Sequence, residues 1–188
     1  RKIFGIEDKS FIIIGVGRLN SIKKFDLLIE AFAKVHQIKA NSVLIIAGDG
    51  EEKDRLVHLT KKLGVEKSVK FLGNIADTTK LYCAADVLAV TSDTESSSLV
   101  AIEAQVCGTR CVLSAGVPKE SILLNQTQRL EKNATPEKWC KALLNDSSEN
   151  IPIATIADYE VHNMSKKMKE IYLKYYSMYE ENQNADTK

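Results

Sequence analysis

The sequence predicts an α/β domain built on a doubly wound parallel sheet. Short apolar runs rich in β-branched residues, such as residues 11–16 and 43–47, are typical of strands buried on both faces. Apolar residues at helical spacing follow the first run, between residues 25 and 35. Continuous apolar strands that alternate with amphipathic helices predict a parallel sheet covered by helices on both sides.

The predicted elements repeat in strand–helix order. The predicted strands are residues 11–16, 43–47, 69–72, 86–90 and 110–114, and the predicted helices are residues 25–35, 51–63, 77–84, 98–107, 135–145 and 156–181. In the second helix, Leu56, Leu59 and Leu63 are expected to form the buried stripe. Thr135 is the expected N-cap of the fifth helix, with Pro136 at its first position. This order is that of a Rossmann-like domain.

The composition agrees with one domain of 188 residues, of which 44% are hydrophobic. We expect residues 1–181 to form this domain and residues 182–188 to form a disordered tail. The net charge of +1 provides no global field that would attract nucleic acid. The four cysteines lie in apolar contexts without a disulfide framework, which suggests a reducing cytoplasm. The sequence shows no signal peptide and no apolar run of transmembrane length.

A polar stretch between the strand at 86–90 and the following helix contains two candidate binding residues, Glu95 and Glu103. The helix N-terminus offers unpaired amides and a partial positive charge to a diphosphate. Glu103 lies five residues past Ser98, roughly 7.5 Å along the helix axis, and could reach ribose hydroxyls. Glu95 precedes the helix, where a sugar would lie. The alternative is an ordinary N-cap followed by a solvated glutamate.

The loop after the first strand supplies a second set of candidates, Gly17, Arg18 and Lys23. Glycine lets the backbone approach a ligand closely, and the two cations could bind a diphosphate. A dinucleotide-binding Gly-x-Gly-x-x-Gly fingerprint is the alternative interpretation. Asn20 and the residues after it supply no third glycine, so the dinucleotide interpretation is disfavoured.

The ordered series of motifs resembles the C-terminal, donor-binding half of the retaining GT-B glycosyltransferases of group 1, of the exopolysaccharide and capsule type. The matching motifs are Gly17-Arg18-Leu19 with Lys23 and Asp26, Leu44 to Gly50, Val69 to Gly73, Tyr82 to Val87, and the Glu95-x7-Glu103 pair followed by Ala104 and Gly108. Ala104-Gln105 and Pro118-Lys119-Glu120 are similar to the exopolysaccharide branch. The resemblance covers about residues 11–122.

The resemblance implies a role for each matching residue. Arg18 and Lys23 would hold the donor phosphates, with Gly17 beside them, and Glu103 would bind the ribose. Glu95 would bind the hydroxyls of the transferred sugar, so the expected catalytic residues are Glu95, Arg18 and Lys23. The residues implied to contact the base through backbone groups are Phe71, Leu72, Gly73 and Asn74, and those implied to contact phosphate through their amides are Ser98, Leu99 and Val100.

The family resemblance also implies the partners of the chain. The donor would be a nucleoside diphosphate sugar, with a UDP-sugar favoured, and neither a metal nor another cofactor is expected. An N-terminal acceptor domain would precede this chain in the full protein, and a lipid-linked saccharide is a candidate acceptor. The expected location is the cytoplasm, at or near the inner face of the membrane. The apolar stripe of the last predicted helix would pack on the N-terminal domain or contact a membrane surface.

One departure from the family pattern keeps an alternative function open. Ser96-Ser97-Ser98 stands where the family has glycine and an aromatic or apolar residue after the first glutamate. Serine lacks the conformational freedom of glycine. The chain could therefore be a nucleotide-sugar binding module without transfer activity. Half of a GT-B epimerase or phosphorylase is a further alternative, which the spacing of Glu95 and Glu103 disfavours.

Overall fold

The computed structural model describes residues 1–124 and 126–145, which fall within one unit, Arg1–Ile151. The strands are β1 (Phe11–Val16), β2 (Ser42–Ala47), β3 (Val69–Gly73), β4 (Val87–Val90), β5 (Arg110–Ser114) and β6 (Gln128–Leu130). The helices are α1 (Phe25–Ile38), α2 (Lys53–Lys62), α3 (Thr79–Ala84), α4 (Leu99–Val106) and α5 (Pro136–Leu144). Within this part of the chain, none of the helices combines the length and apolar character needed to cross a membrane.

The strands form a six-stranded parallel sheet in the order β3-β2-β1-β4-β5-β6. The central strand β1 pairs along its whole length with β2, from Phe11 opposite Ser42 to Val16 opposite Ala47. On its other side β1 pairs with β4, where Ile13 lies opposite Val87. The predicted doubly wound parallel sheet is confirmed.

Two apolar clusters cover the two faces of the sheet. Because successive side chains of a strand point to opposite faces, Ile13 of β1 joins one cluster while Ile12 and Ile14 join the other. The first cluster contains buried apolar residues of α1, α2 and α5, and the second contains buried apolar residues of α3 and α4. Each strand of the centre is therefore buried on both faces, which explains its continuous apolar sequence.

The chain reverses its direction of winding between β1 and β4. These strands are neighbours, but α1 after β1 and α4 after β4 pack on opposite faces of the sheet. Loops that part in this way create a crevice at the carboxyl edge of the sheet, the usual ligand position in such folds. We call residues 17–24 and 91–98, the loops that follow these two strands, the switch-point site.

Several predicted boundaries differ from the structure. Helix α2 is shorter than predicted and buries Leu56 and Thr60, whereas Leu63 is 38% exposed, so its assignment to the buried stripe was wrong. Leu63 lies just past the helix end, where the helical spacing no longer sets its direction. Strand β6 was not predicted, because Gln128-Arg129-Leu130 is too short and too polar to show a pattern. Thr135 caps α5 as predicted.

The remaining predictions on secondary structure fall elsewhere in the chain. The predicted helix at 156–181 and the predicted tail at 182–188 lie outside the described residues.

Candidate functional site

Three neighbouring loops at the carboxyl edge of the sheet are joined by backbone hydrogen bonds. The amide of Gly17 donates to Ala47, and the amide of Leu19 donates to Asp49, both at 2.9 Å. The amide of Gly48 donates to the carbonyl of Gly73 at 2.8 Å. The loop that carries Arg18 is therefore hydrogen-bonded to the loop after β2, and that loop is hydrogen-bonded to the end of β3.

Gly48 is required by this close approach of two loops. Its φ is +139°, and a Cβ atom there would lie 1.9 Å from the carbonyl oxygen of Gly17. Only glycine combines that backbone conformation with that contact. The Gly48-Asp49-Gly50 sequence, which by itself is ordinary turn chemistry, thus fixes the position of the Gly17 to Leu19 backbone.

Lys23 and Glu95 form an ion pair across the switch-point site. The Nζ of Lys23 donates to Oε1 of Glu95 at 2.7 Å, and their side chains are 25% and 11% exposed. The hydroxyl of Ser92 donates to the same Oε1 at 2.7 Å. Both donors use one carboxylate oxygen, so the second oxygen, Oε2, can accept a hydrogen bond from a ligand hydroxyl.

Residues 91–93 hold the loop that carries Lys23. The hydroxyl of Thr91 donates to the carbonyls of Lys23 and Lys24 at 2.8 and 3.0 Å. The amide of Asp93 donates to the carbonyl of Ile22 at 2.8 Å. Lys24 has the left-handed backbone φ of +52°, which is unfavourable for a side chain with a Cβ and is here supported by these contacts. The polar end of β4 therefore positions both members of the ion pair.

Arg18 lies at the exposed rim of the site. Its guanidinium is 3.4 Å from Oε2 of Glu51, and the two side chains are 72% and 61% exposed. Exposed pairs of this kind contribute little to stability, so they hold the side chain only weakly. Arg18 can therefore leave Glu51 for a more strongly charged anion at small cost.

The N-cap and the first turn of α4 contain three of the expected phosphate contacts. The amide of Ser98 donates to the buried hydroxyl of Ser121 at 3.2 Å, so this amide already has a partner. The amides of Leu99 and Val100 lie in the first turn, where a helix provides no acceptor of its own. These two amides and the partial positive charge of the helix N-terminus are suited to an anion.

The serine loop adopts an ordinary backbone. Ser98 has a φ of −97°, and Lys24 alone among the described non-glycine residues has a positive φ. Ser96 and Ser97 are exposed, whereas Ser98 is buried. The replacement of glycine by serine in this loop therefore imposes no left-handed strain on the protein.

Glu103 lies in the second turn of α4 and contacts a tyrosine of α3. The hydroxyl of Tyr82 donates to Oε2 of Glu103 at 2.9 Å. Both residues line a cavity of about 360 Å³, together with Thr78, Val106 and Cys107 among others. Burial raises the pKa of the Cys107 thiol to about 11, so this thiol is uncharged at neutral pH.

The expected base contacts lie at the end of β3. Phe71, Leu72 and Gly73 are half-buried, and Asn74 is exposed. Phe71 packs against the first apolar cluster and Leu72 against the second. The carbonyl of Gly73 is occupied by the Gly48 amide, so other backbone groups of this segment would have to serve a base.

The structure thus divides the predicted site residues among three local groups. Lys23 and Glu95 contact each other, Glu103 contacts Tyr82, and Arg18 contacts Glu51. Sequence reasoning assigned no role to the residues that position them, which are Thr91, Ser92, Tyr82, Ser121 and Gln105. Thr91 and Ser92 could have been noticed, because they belong to the same polar stretch as Glu95. The side-chain contacts of the other three gave no signal in the sequence.

Among residues 1–124 and 126–145, no three His, Cys, Asp or Glu side chains lie close enough together to hold a metal ion.

The family model described as "Glycosyl transferases group 1" matches residues 1–150, which includes every residue of the switch-point site. The chain belongs to the group 1 glycosyltransferases. This membership confirms the resemblance found in the sequence motifs, and the parallel sheet agrees with the fold of solved GT-B enzymes.

Curated group 1 relatives match the chain over about 120 residues. An uncharacterised glycosyltransferase of Methanocaldococcus jannaschii is 39% identical over 117 residues, covering 61% of this chain and 30% of that protein. The N-acetyl-alpha-D-glucosaminyl L-malate synthase of Bacillus anthracis is 31% identical over 121 residues, covering 63% of this chain and 32% of that protein. The matched part of the chain thus spans about a third of the length of these relatives.

A solved structure matches most of the chain. The crystal structure of Anabaena HepE in complex with UDP and glucose superposes with a TM-score of 0.69 and 27% identity. The match covers 84% of this chain and 44% of HepE.

Proposed function

We propose that this chain is the donor-binding half of a retaining hexosyltransferase whose donor is a nucleoside diphosphate sugar, with a UDP-sugar favoured. The observation that carries the proposal is the Lys23–Glu95 pair at the switch point, beside the N-terminus of α4. In this proposal Lys23 would bind a phosphate, and the neighbouring Glu95 carboxylate would bind a sugar hydroxyl. Group 1 membership supports the transferase activity.

In this proposal the protein stabilises the charge that forms when the donor breaks. Cleavage of the bond between the sugar and the diphosphate leaves negative charge on the leaving group. Arg18, Lys23 and the first turn of α4 would stabilise that charge without a metal ion. Glu95 and Glu103 would orient the hydroxyls of the sugar and the ribose, and neither would act as an acid or base on water.

The choice of UDP rests on a similar protein. HepE of Anabaena, 27% identical to this chain, was solved with UDP and glucose. Retention of configuration rests on the likeness of the motifs to the retaining enzymes of the group. Both are therefore proposals for this chain, and nucleotide identity is the easier of the two to test.

The proposed acceptor is a saccharide, such as a lipid-linked one, in the synthesis of a cell-surface polysaccharide. Ala104-Gln105 and Pro118-Lys119-Glu120 support this branch of the family. The acceptor would be bound by an N-terminal domain of the full protein, in the cytoplasm near the inner face of the membrane. Both domains would then have to close on the donor before transfer.

A nucleotide-sugar binding module without transfer activity is the second candidate. The observation in its favour is Ser96-Ser97-Ser98, which stands beside Glu95 in place of the family's glycine. Turnover by the full-length protein separates this candidate from the enzyme, because both would bind the nucleotide.

Calorimetry with UDP tests the proposed donor site. We expect the chain to bind UDP, in the high micromolar range or weaker because contacts from the other domain are missing. Lys23→Ala should weaken binding by about tenfold, the scale of one hydrogen bond to a charged group. Lys61→Ala, which removes an exposed cation at the far end of α2, is the matched control and should bind UDP like the wild type.

The same titration is repeated with a chelator. Binding should be unchanged, since Arg18, Lys23 and the helix N-terminus supply the positive charge in the proposed site. Failure to bind any nucleoside diphosphate would contradict the donor-half assignment. Loss of binding on chelation would contradict the metal-free site while leaving the donor assignment intact.

A further inference from the structure

Tyr82 is held rigidly at the boundary between the apolar core and the cavity that contains Glu103. Tyr82 is 1% exposed and belongs to the second apolar cluster. Its carbonyl accepts a hydrogen bond of 2.9 Å from the buried hydroxyl of Thr109. The buried ring places the phenolic hydroxyl 2.9 Å from Oε2 of Glu103.

The hydroxyl of Tyr82 remains protonated at any physiological pH. Burial raises the pKa of Tyr82 well above its ordinary value, and the neighbouring Glu103 carboxylate acts in the same direction, whereas a hydrogen bond from Thr78 lowers it. A protonated phenol donates its proton to the carboxylate. Tyr82 therefore always presents a donor to Oε2 of Glu103.

This contact selects one orientation of an otherwise flexible side chain. Glu103 is exposed on the second turn of α4 and would sample several rotamers in water. With Oε2 held by Tyr82, the other oxygen, Oε1, keeps its capacity to accept hydrogen bonds at the edge of the cavity. A carboxylate fixed in this way discriminates strongly between a ligand that has the matching hydroxyl and one that lacks it.

We propose that Tyr82 is a positioning residue that orients Glu103 toward the ribose hydroxyls, and so makes the site select ribonucleotides over deoxyribonucleotides. This inference rests on the proposed function, in which Glu103 binds the ribose. Tyr82 itself touches only the carboxylate. Its effect is therefore expected on the part of the affinity that depends on the 2′-hydroxyl.

The test compares the affinities of UDP and 2′-deoxy-UDP by calorimetry on the full chain. The wild type should prefer UDP, and Tyr82→Phe, which keeps the buried ring, should weaken UDP binding by about five- to tenfold. Binding of 2′-deoxy-UDP should change by less than about twofold, so the preference for ribose should largely disappear. Glu103→Gln should abolish the preference, and the double variant should resemble Glu103→Gln alone, because Tyr82 acts through Glu103.

Thr109→Val is the matched control. It removes a hydrogen bond to the backbone of Tyr82 and leaves the contact between the hydroxyl and Glu103 in place. It should lower the thermal unfolding temperature while keeping the ratio of UDP to 2′-deoxy-UDP affinity. A ratio that Tyr82→Phe leaves unchanged, with UDP still bound, would overturn this inference alone. No binding of UDP by the wild type would overturn the proposed function as well.

Discussion

Glu95 receives hydrogen bonds from both loops of the switch-point site. Lys23 reaches it from the loop after β1, and Ser92 reaches it from its own loop. Both contacts preorganise the carboxylate before any ligand binds, which reduces the entropy that binding would otherwise cost. Glu103 is fixed separately by Tyr82, so the two glutamates of the motif are positioned by different elements.

Alanine substitutions should separate the roles of these residues. We expect Arg18→Ala and Glu103→Ala each to weaken UDP binding by at least ~1.5 kcal/mol, the scale of a hydrogen bond to a charged group. Glu95→Ala should leave the affinity for UDP nearly intact and lower transfer by the full-length enzyme, because Glu95 would contact the sugar. Calorimetry and a transfer assay measure the two effects. Equal losses of UDP affinity in Glu95→Ala and Glu103→Ala would contradict this division.

At the scale of elements, α4 is fixed to the following segment by one buried amide. The side chain of Gln105 donates to the carbonyls of Ala101 and Ser121, each at 2.8 Å. It accepts from the amides of Leu123 and Leu124 and from the hydroxyl of Thr127. Because Ser121 in turn receives the amide of Ser98, Gln105 also stabilises the N-terminus of its own helix.

Replacement of this amide should destabilise the domain. Gln105→Met keeps a similar volume but leaves the amides of Leu123 and Leu124 without this acceptor, and we expect a loss of ~2–4 kcal/mol in the free energy of unfolding. Urea denaturation measures the loss, and hydrogen exchange of the Leu123 and Leu124 amides should quicken. Gln37→Met, on the exposed face of α1, is the control and should be nearly neutral. Similar values for the two variants would contradict the role of Gln105.

A second prediction at the scale of elements concerns the contact between the loops after β1 and β2. Gly48→Ala would place a Cβ 1.9 Å from the carbonyl of Gly17, so the loop that carries Arg18 must move. Gly64 also has a positive φ, of +70°, but a Cβ there meets no atom within 4 Å. Gly64→Ala should cost about 1 kcal/mol of backbone strain, whereas Gly48→Ala should cost more and also weaken UDP binding. Equal stability of the two variants would contradict this expectation, because it would mean that the loops after β1 and β2 can separate at little cost in free energy.

At the scale of the whole molecule, every residue to which we propose a binding role would contact the donor. The chain matches about a third of the length of its curated relatives and 44% of HepE. In a two-domain transferase the reacting groups meet only when both halves position them. That orientation can supply ~7–11 kcal/mol of the reduction in the barrier.

We therefore expect the 188-residue chain to bind UDP without transferring sugar. Incubation with a UDP-sugar and saccharide acceptors, followed by mass spectrometry of the products, should show no transfer. The full-length protein under the same conditions is the positive control. Transfer by the isolated chain would mean that it contains an acceptor site of its own.

Local patterns in the sequence were sufficient to predict the class of the fold and the positions of the candidate residues along the chain. Continuous apolar runs such as residues 11–16 indicate strands that are buried on both faces of the sheet. The polar residues that follow these strands lie at one edge of a parallel sheet. The positions of Gly17 after β1 and of Glu95 and Glu103 around the start of α4 could also be predicted from the order of the elements along the chain. These features depend on neighbours in the chain, so local patterns are sufficient.

The contacts between candidate side chains could not be predicted from these local patterns, because they join residues that are distant in the sequence. Lys23 and Glu95 are 72 residues apart, and Tyr82 and Glu103 are 21 apart. Their contacts depend on the pairing of β1 with β4 and on the packing of α3 beside α4. Strand β6 escaped prediction for the same reason, because its pairing with β5, rather than its own residues, makes it a strand. Hydrogen bonds between distant residues need the register of the sheet, which no local periodicity specifies.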